Sequence, residues 1–119
     1  MNVRSFFIRI AETFKVVKSS DDPTYVTLGE TLVLNVTYEY SGGGGVGLQW
    51  KKSIQLLIER FRNGGVDDIA DPRASIVGKA TLVITNSKLS DNGTYSILVN
   101  PRNSAAKTER FEVIIQGSY

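Results

Sequence analysis

Glu59, Asp67, Asp68 and Asp71 crowd one stretch of the chain. Clustered carboxylates can share proton-transfer work or hold a calcium ion. Their spacing fits no calcium-loop pattern, so a solvated acidic surface is the expected state. "GGGG" at 42–45 could cradle a phosphate, but neither Lys-Ser/Thr nor a helix start follows it. A flexible connecting loop is expected there instead. The chain has no histidine and no cysteine. That removes the commonest general base and the commonest metal ligands. It also excludes Ser-His-Asp triads and cysteine nucleophiles. No catalytic constellation, cofactor site or metal site is expected. The protein is read as a non-enzyme.

Two further patterns invite chemistry from outside. "NVT" at 35–37 and "NGT" at 92–94 are acceptor motifs for N-glycosylation, which makes Asn35 and Asn92 candidates. Two such motifs favour an extracellular setting. The absence of cysteine pulls towards a reducing one.

The elements that must position these residues are strands. The 119 residues suit one domain, and a domain of that size can be stable without crosslinks. The net charge of +2 comes from interspersed residues of both signs, not from a basic stripe, so nucleic acid is not expected as a partner. No apolar run is long enough to span a membrane, and attachment to one would come through a longer parent chain. Alternation with period two dominates. It predicts strands at 14–19, 24–28, 31–40, 48–52, 53–61, 73–77, 80–85, 94–100 and 109–116, with one helical turn within 87–93. Leu32, Leu34 and Val36 share one face. The segment 41–47 reads as a flexible connection. Short strands at this spacing predict a sandwich or barrel. Residues 1–11 read as an extension or the start of a first strand, 12–117 as the domain, and 118–119 as a tail cut from a longer chain.

Four motifs then fall in a telling order. "GETLVLNV" (29–36) precedes Trp50 by 14 residues, "ATLVIT" and Leu89 follow, and "DNGTYSI" (91–97) closes the series. Together they resemble the immunoglobulin superfamily, specifically its variable-type (V-set) domains, over about residues 12–117. The resemblance implies an all-β immunoglobulin-like Greek-key sandwich in which Val36 and Ile97 stand where that family has its inter-sheet cysteines. It implies a core of Val36, Trp50, Ile97, Tyr95, Leu34, Leu82, Ile84 and Leu89. It implies an ion pair between Arg73 and Asp91, and a tyrosine corner in which the Tyr95 hydroxyl bonds upstream backbone. A cysteine-free variable-type domain is also similar to the outer domains of the allorecognition receptors of colonial hydroid cnidarians, which bind their own allelic copy on a neighbouring cell.

The same resemblance puts the strands around 48–52, 53–61, 94–100 and 109–116 in one sheet. Surplus apolar residues there would mark a partner interface. Leu57, Leu98 and Ile114 are the expected anchors, ringed by Lys51, Arg60 and Arg62. The function implied is homophilic recognition or adhesion by an ectodomain on the outer side of the plasma membrane. The alternative is a structural immunoglobulin module of a multidomain intracellular or matrix protein.

Overall fold

The computed structural model describes residues 13–117. The readings of 1–12 and 118–119 lie outside the described residues. Eleven strands and one short 3-10 turn make up the described part. They run β1 (Phe14–Lys18), β2 (Thr24–Thr27), β3 (Leu32–Leu34), β4 (Val36–Tyr40), β5 (Val46–Lys52), β6 (Gln55–Arg60), β7 (Asp68–Ile69), β8 (Ala74–Val77), β9 (Thr81–Ile84), the turn (Leu89–Asp91), β10 (Gly93–Pro101) and β11 (Lys107–Gln116).

Two layers result. One is a six-stranded sheet in the order β2-β11-β10-β5-β6-β7. The other joins β3-β9-β8 to the pair β1-β4, because β4 continues β3 after Asn35. All neighbours are antiparallel except β2 and β11, which run parallel. The break at Asn35 has a local cause. Ser20 Oγ accepts from the Asn35 N–H at 2.7 Å, and the Ser19 N–H donates to the Asn35 carbonyl at 3.0 Å. The strand thereby changes partner from β9 to β1.

The alternating apolar residues meet between the layers. Leu32, Leu34, Val36, Leu82 and Ile84 come from one side; Leu48, Trp50, Tyr95, Ile97, Val99, Phe111 and Val113 come from the other, and all are buried. Trp50 lies opposite Ile97 on adjacent strands, stacks obliquely on Phe111 at 5.7 Å, and donates its indole N–H to the Ala80 carbonyl at 3.0 Å. Its one polar atom is therefore satisfied in the core. Val36 and Ile97 belong to the same cluster. Each contributes about 1.5–3 kcal/mol by burial, which offsets part of what a crosslink would add.

Two apolar expectations are overturned. Leu57, expected on the surface, is buried beside Ile58. The register between β5 and β6 shifts after Trp50, which pairs with Ile58, while Lys51 pairs with Leu56. Leu57 is the extra residue of this bulge, and a bulge breaks the alternation that would send it outward. Its carbonyl also accepts the N–H groups of Ala70 and Asp71. Leu89, expected in the core, is 59% exposed. It opens the 3-10 turn that swings Asp91 inward, and buried Ser87 fills the space beneath the corner, bonding the Thr27 carbonyl at 3.1 Å.

The segment 41–47 is no slack connection either. Val46 and Gly47 already belong to β5. Asn103 donates through Nδ2 to the Gly43 carbonyl at 3.2 Å and through its backbone to the Tyr40 hydroxyl at 3.3 Å, and the Arg102 N–H reaches the Gly45 carbonyl. A side chain at Gly45 would place its Cβ 1.6 Å from the Arg62 carbonyl oxygen. Glycine there lets the loop close on the end of β6.

Candidate partner-binding face

The corner is built first, because it fixes where β10 begins. Arg73 donates from both terminal nitrogens to the two Asp91 oxygens, each at 2.8 Å. Asp91 also accepts the Lys88 N–H at 2.7 Å, and the Tyr95 hydroxyl donates to the Asp91 carbonyl at 2.7 Å. The guanidinium hydrogen bonds hold the Asp91 carboxyl below its ordinary range, against the opposing effect of burial. Burial pushes the Tyr95 hydroxyl well above its ordinary value.

Two carboxylates of the acidic stretch, Asp67 and Asp71, form ion pairs, while Glu59 and Asp68 lie opposite each other on β6 and β7. Asp67 takes a two-pronged bond from Arg60, with both contacts at 3.0 Å, and Asp71 pairs with Arg73 at 3.2 Å. No group of three or more His, Cys, Asp or Glu side chains gathers to hold a metal among the described residues. Arg60, expected as a rim contact, is occupied by Asp67, whose hydrogen bond raises the guanidinium's already high pKa.

On β10, Ser96, Leu98 and Asn100 alternate with buried Tyr95, Ile97 and Val99, so they look out from the six-stranded sheet. Leu98 stands between Gln49 on β5 and Thr108 on β11. Ser96 stands between Lys51 and Arg110, and Thr94 beside Glu112. Leu98 is half-buried because it lines a cleft of about 320 Å3, whose other walls include Gln49, Glu59, Phe61, Arg62 and Asn100. The cleft continues into a groove shared by Phe61, Arg62, Asn63 and Arg102. Phe61 is exposed, and no described carboxylate lies within ion-pair distance of Arg62 or Arg102.

Leu98 and Arg62 therefore come together, with Lys51 on the same face. Ile114 does not join them. It pairs with Tyr25 on β2, beyond the end of the β10 ladder, about 20 Å along the strand direction from Leu98 at roughly 3.3 Å per residue. Sequence reasoning missed Phe61 and Arg102. The parity of β10, extended past Asn100, would have put position 102 on the outer face, but nothing in the sequence shows that the loop folds back against Gly45.

The two acceptor asparagines differ. Asn35 is exposed at the strand break. The Asn92 side chain spans two elements: Nδ2 donates to the Leu89 carbonyl at 2.8 Å and Oδ1 accepts the Ile115 N–H at 2.7 Å. It braces β11 against the corner.

A six-stranded sheet facing a second sheet built on β3-β9-β8, an inter-sheet tryptophan and a tyrosine corner define the immunoglobulin variable-type fold. This chain has that fold, and with no cysteine it has no inter-sheet disulfide. Solved structures agree. The chain is similar to the IgV-like domain of human B7-H4, with 20% identity and a TM-score of 0.69 over 88% of this chain and 98% of that one. It is similar to a domain in the complex of Dpr1 IG1 bound to DIP-eta IG1 (20% identity, TM-score 0.63, 84% and 95% covered), and to chimeric titin Z1Z2 (15% identity, TM-score 0.65, 92% and 100% covered). At these identities the likeness is one of fold. No protein-family model matches the sequence, and no curated protein matches it significantly. Among the described residues no helix is long and apolar enough to cross a membrane.

Proposed function

We propose that this domain is a recognition module that acts by binding and not by catalysis. Its partner is a protein, another copy of itself, engaged through the outer face of the six-stranded sheet. The observation that carries this reading is the cleft around Leu98 and the groove that continues it, which bring Leu98, the exposed Phe61 ring, and Arg62 and Arg102, neither of them ion-paired among the described residues, to one face. Apolar anchors and arginines are what protein interfaces concentrate at their centres. The complex of Dpr1 with DIP-eta supports it as a case of two immunoglobulin domains bound together. Two acceptor asparagines and the similarity to hydroid allorecognition domains favour the outer side of the plasma membrane, where many weak contacts between apposed cells add by avidity.

Analytical ultracentrifugation of the isolated domain tests this. Concentration-dependent dimers are expected, and a monomer at every concentration contradicts it.

A second reading has its own observation. Tyr25, Leu28, Leu89 and Ile114 are exposed at the end of the sandwich where the β2–β3 turn meets the corner. Apolar residues there suit packing against a neighbouring domain, as in a structural module of a longer intracellular or matrix protein. The likeness to titin Z1Z2 fits that reading. Glycans on Asn35 of the native protein would favour the first reading over this one.

A further inference from the structure

The outer face carries its charges in an order that fixes how two copies can meet. Thr94 lies four residues before Leu98 on β10, about 13 Å along the strand at roughly 3.3 Å per residue, and Arg102 lies four residues after it, in the turn just past the end of β10, with its N–H bonded to the Gly45 carbonyl. Thr94 donates to Glu112 Oε1 at 2.6 Å across the β10–β11 pair, which places this exposed carboxylate on the outer face and leaves its second oxygen for another donor. A cation and an anion therefore stand towards opposite ends of the face from Leu98, Arg102 past the end of β10 and Glu112 on β11. Facing sheets that pack in alignment keep their strands within about 30° of one another, running the same way or opposite ways.

We propose that two copies stack face to face with their β10 strands antiparallel, about a two-fold axis that crosses β10 at Leu98. This deepens the homophilic reading and rests on it. An isologous contact pairs residue i with j and j with i. Leu98 then meets Leu98 at the centre. Arg102 faces the partner's Thr94 and, one strand to the side, the Glu112 carboxylate that Thr94 holds, twice by symmetry. Two strands out, Phe61 lies two places above the level of Leu98 and Leu56 two places below it, since Glu59 is level with Gln49 and Leu56 with Lys51. Phe61 therefore meets the partner's Leu56. The same-direction arrangement about β10 is disfavoured, because Lys51 and Arg110 both flank Ser96 and would face each other as like charges. The antiparallel arrangement has two like-charge contacts of its own at the level of the axis, Glu59 and, beside it on β7, Asp68, each against its copy.

The test is a charge swap read by sedimentation equilibrium at fixed ionic strength, with denaturation curves to show that each variant is folded. R102E and E112R should each weaken the dimer about tenfold or more, the scale of losing a charge pair at an interface. The double variant R102E/E112R should return to within about threefold of wild type, since the swapped pair reforms with its signs exchanged. E59Q should tighten the dimer. If the wild type dimerises but the double variant stays as weak as the singles, or E59Q weakens it, this arrangement is overturned while homophilic binding stands. A wild-type monomer overturns both.

Discussion

The Arg73 guanidinium and the Asp91 carboxylate lie side by side, joined by two hydrogen bonds of 2.8 Å, with only 7% of the Asp91 side chain exposed. Such a pair returns what its desolvation costs only when the remaining polar sites are satisfied. Here Arg73 also bonds Asp71 and the carbonyls of Thr85 and Asn86, and Asp91 takes the Lys88 N–H. The pair ties β8 to the corner that launches β10. Arg73→Met should therefore cost about 3–5 kcal/mol, because it leaves a buried carboxylate without its counter-charge. Urea denaturation at neutral pH measures it.

The same pair gives the fold an acid dependence. Asp91 is held below its ordinary value of 3.8 by the guanidinium hydrogen bonds. A depressed folded-state pKa contributes stability that is fully present above the unfolded value and is lost as pH falls through the folded one. Wild-type stability should fall as the pH drops below about 4. In Arg73→Met that fall should be smaller or reversed, since burial alone favours the protonated acid. Asp22, lowered by its hydrogen bond from Lys18, contributes to both proteins alike, so the difference between the two curves reports Asp91. Denaturation midpoints between pH 2 and 7 supply both curves.

Tyr95→Phe removes the hydroxyl that bonds the buried Asp91 carbonyl at 2.7 Å. An acceptor left without its donor in a buried site costs about 1–3 kcal/mol. A change below a few tenths in the unfolding free energy would mean that the corner does not depend on this bond.

Much of this corner was legible in the sequence, and the reason is local. Asp91, Gly93 and Tyr95 sit within five positions, so the resemblance to the variable-type motif implies the whole turn at once. The alternation of Leu32, Leu34 and Val36, and of Tyr95, Ile97 and Val99, likewise declares one buried face each. Three features were not legible. The bulge that buries Leu57 depends on the register of β6 against β5, which no single strand encodes. Leu89 reads as apolar and hence inward, yet the 3-10 turn gives the inward place to Asp91. The groove that continues the cleft arises where 45, 61–63 and 102 converge, and no period in the sequence joins those segments.

Val36 and Ile97, both in the core, stand by resemblance where the family has its crosslink and are 61 residues apart. Replacing both with cysteine should allow oxidation in the folded protein, adding about 4 kcal/mol in the chain-entropy model. Thiol titration with and without oxidant detects the bond. A pair that stays reduced in the native protein would refute the placement of these two residues at the crosslinking positions.

Gly45→Ala drives a Cβ into the Arg62 carbonyl, and neither backbone can yield without opening the cleft. A loss of about 1–3 kcal/mol is expected, the range for an overpacked site. Dimerisation should weaken with it. Unchanged dimerisation would mean that the cleft end of the face lies outside the contact.

The account turns on Leu98 as the centre of a homophilic contact. Sedimentation equilibrium of the wild type beside Leu98→Glu tests that most directly. The wild type should dimerise as its concentration rises, while Leu98→Glu stays monomeric and still unfolds in one cooperative transition. A wild type that remains monomeric, or a Leu98→Glu variant that dimerises equally well, contradicts it.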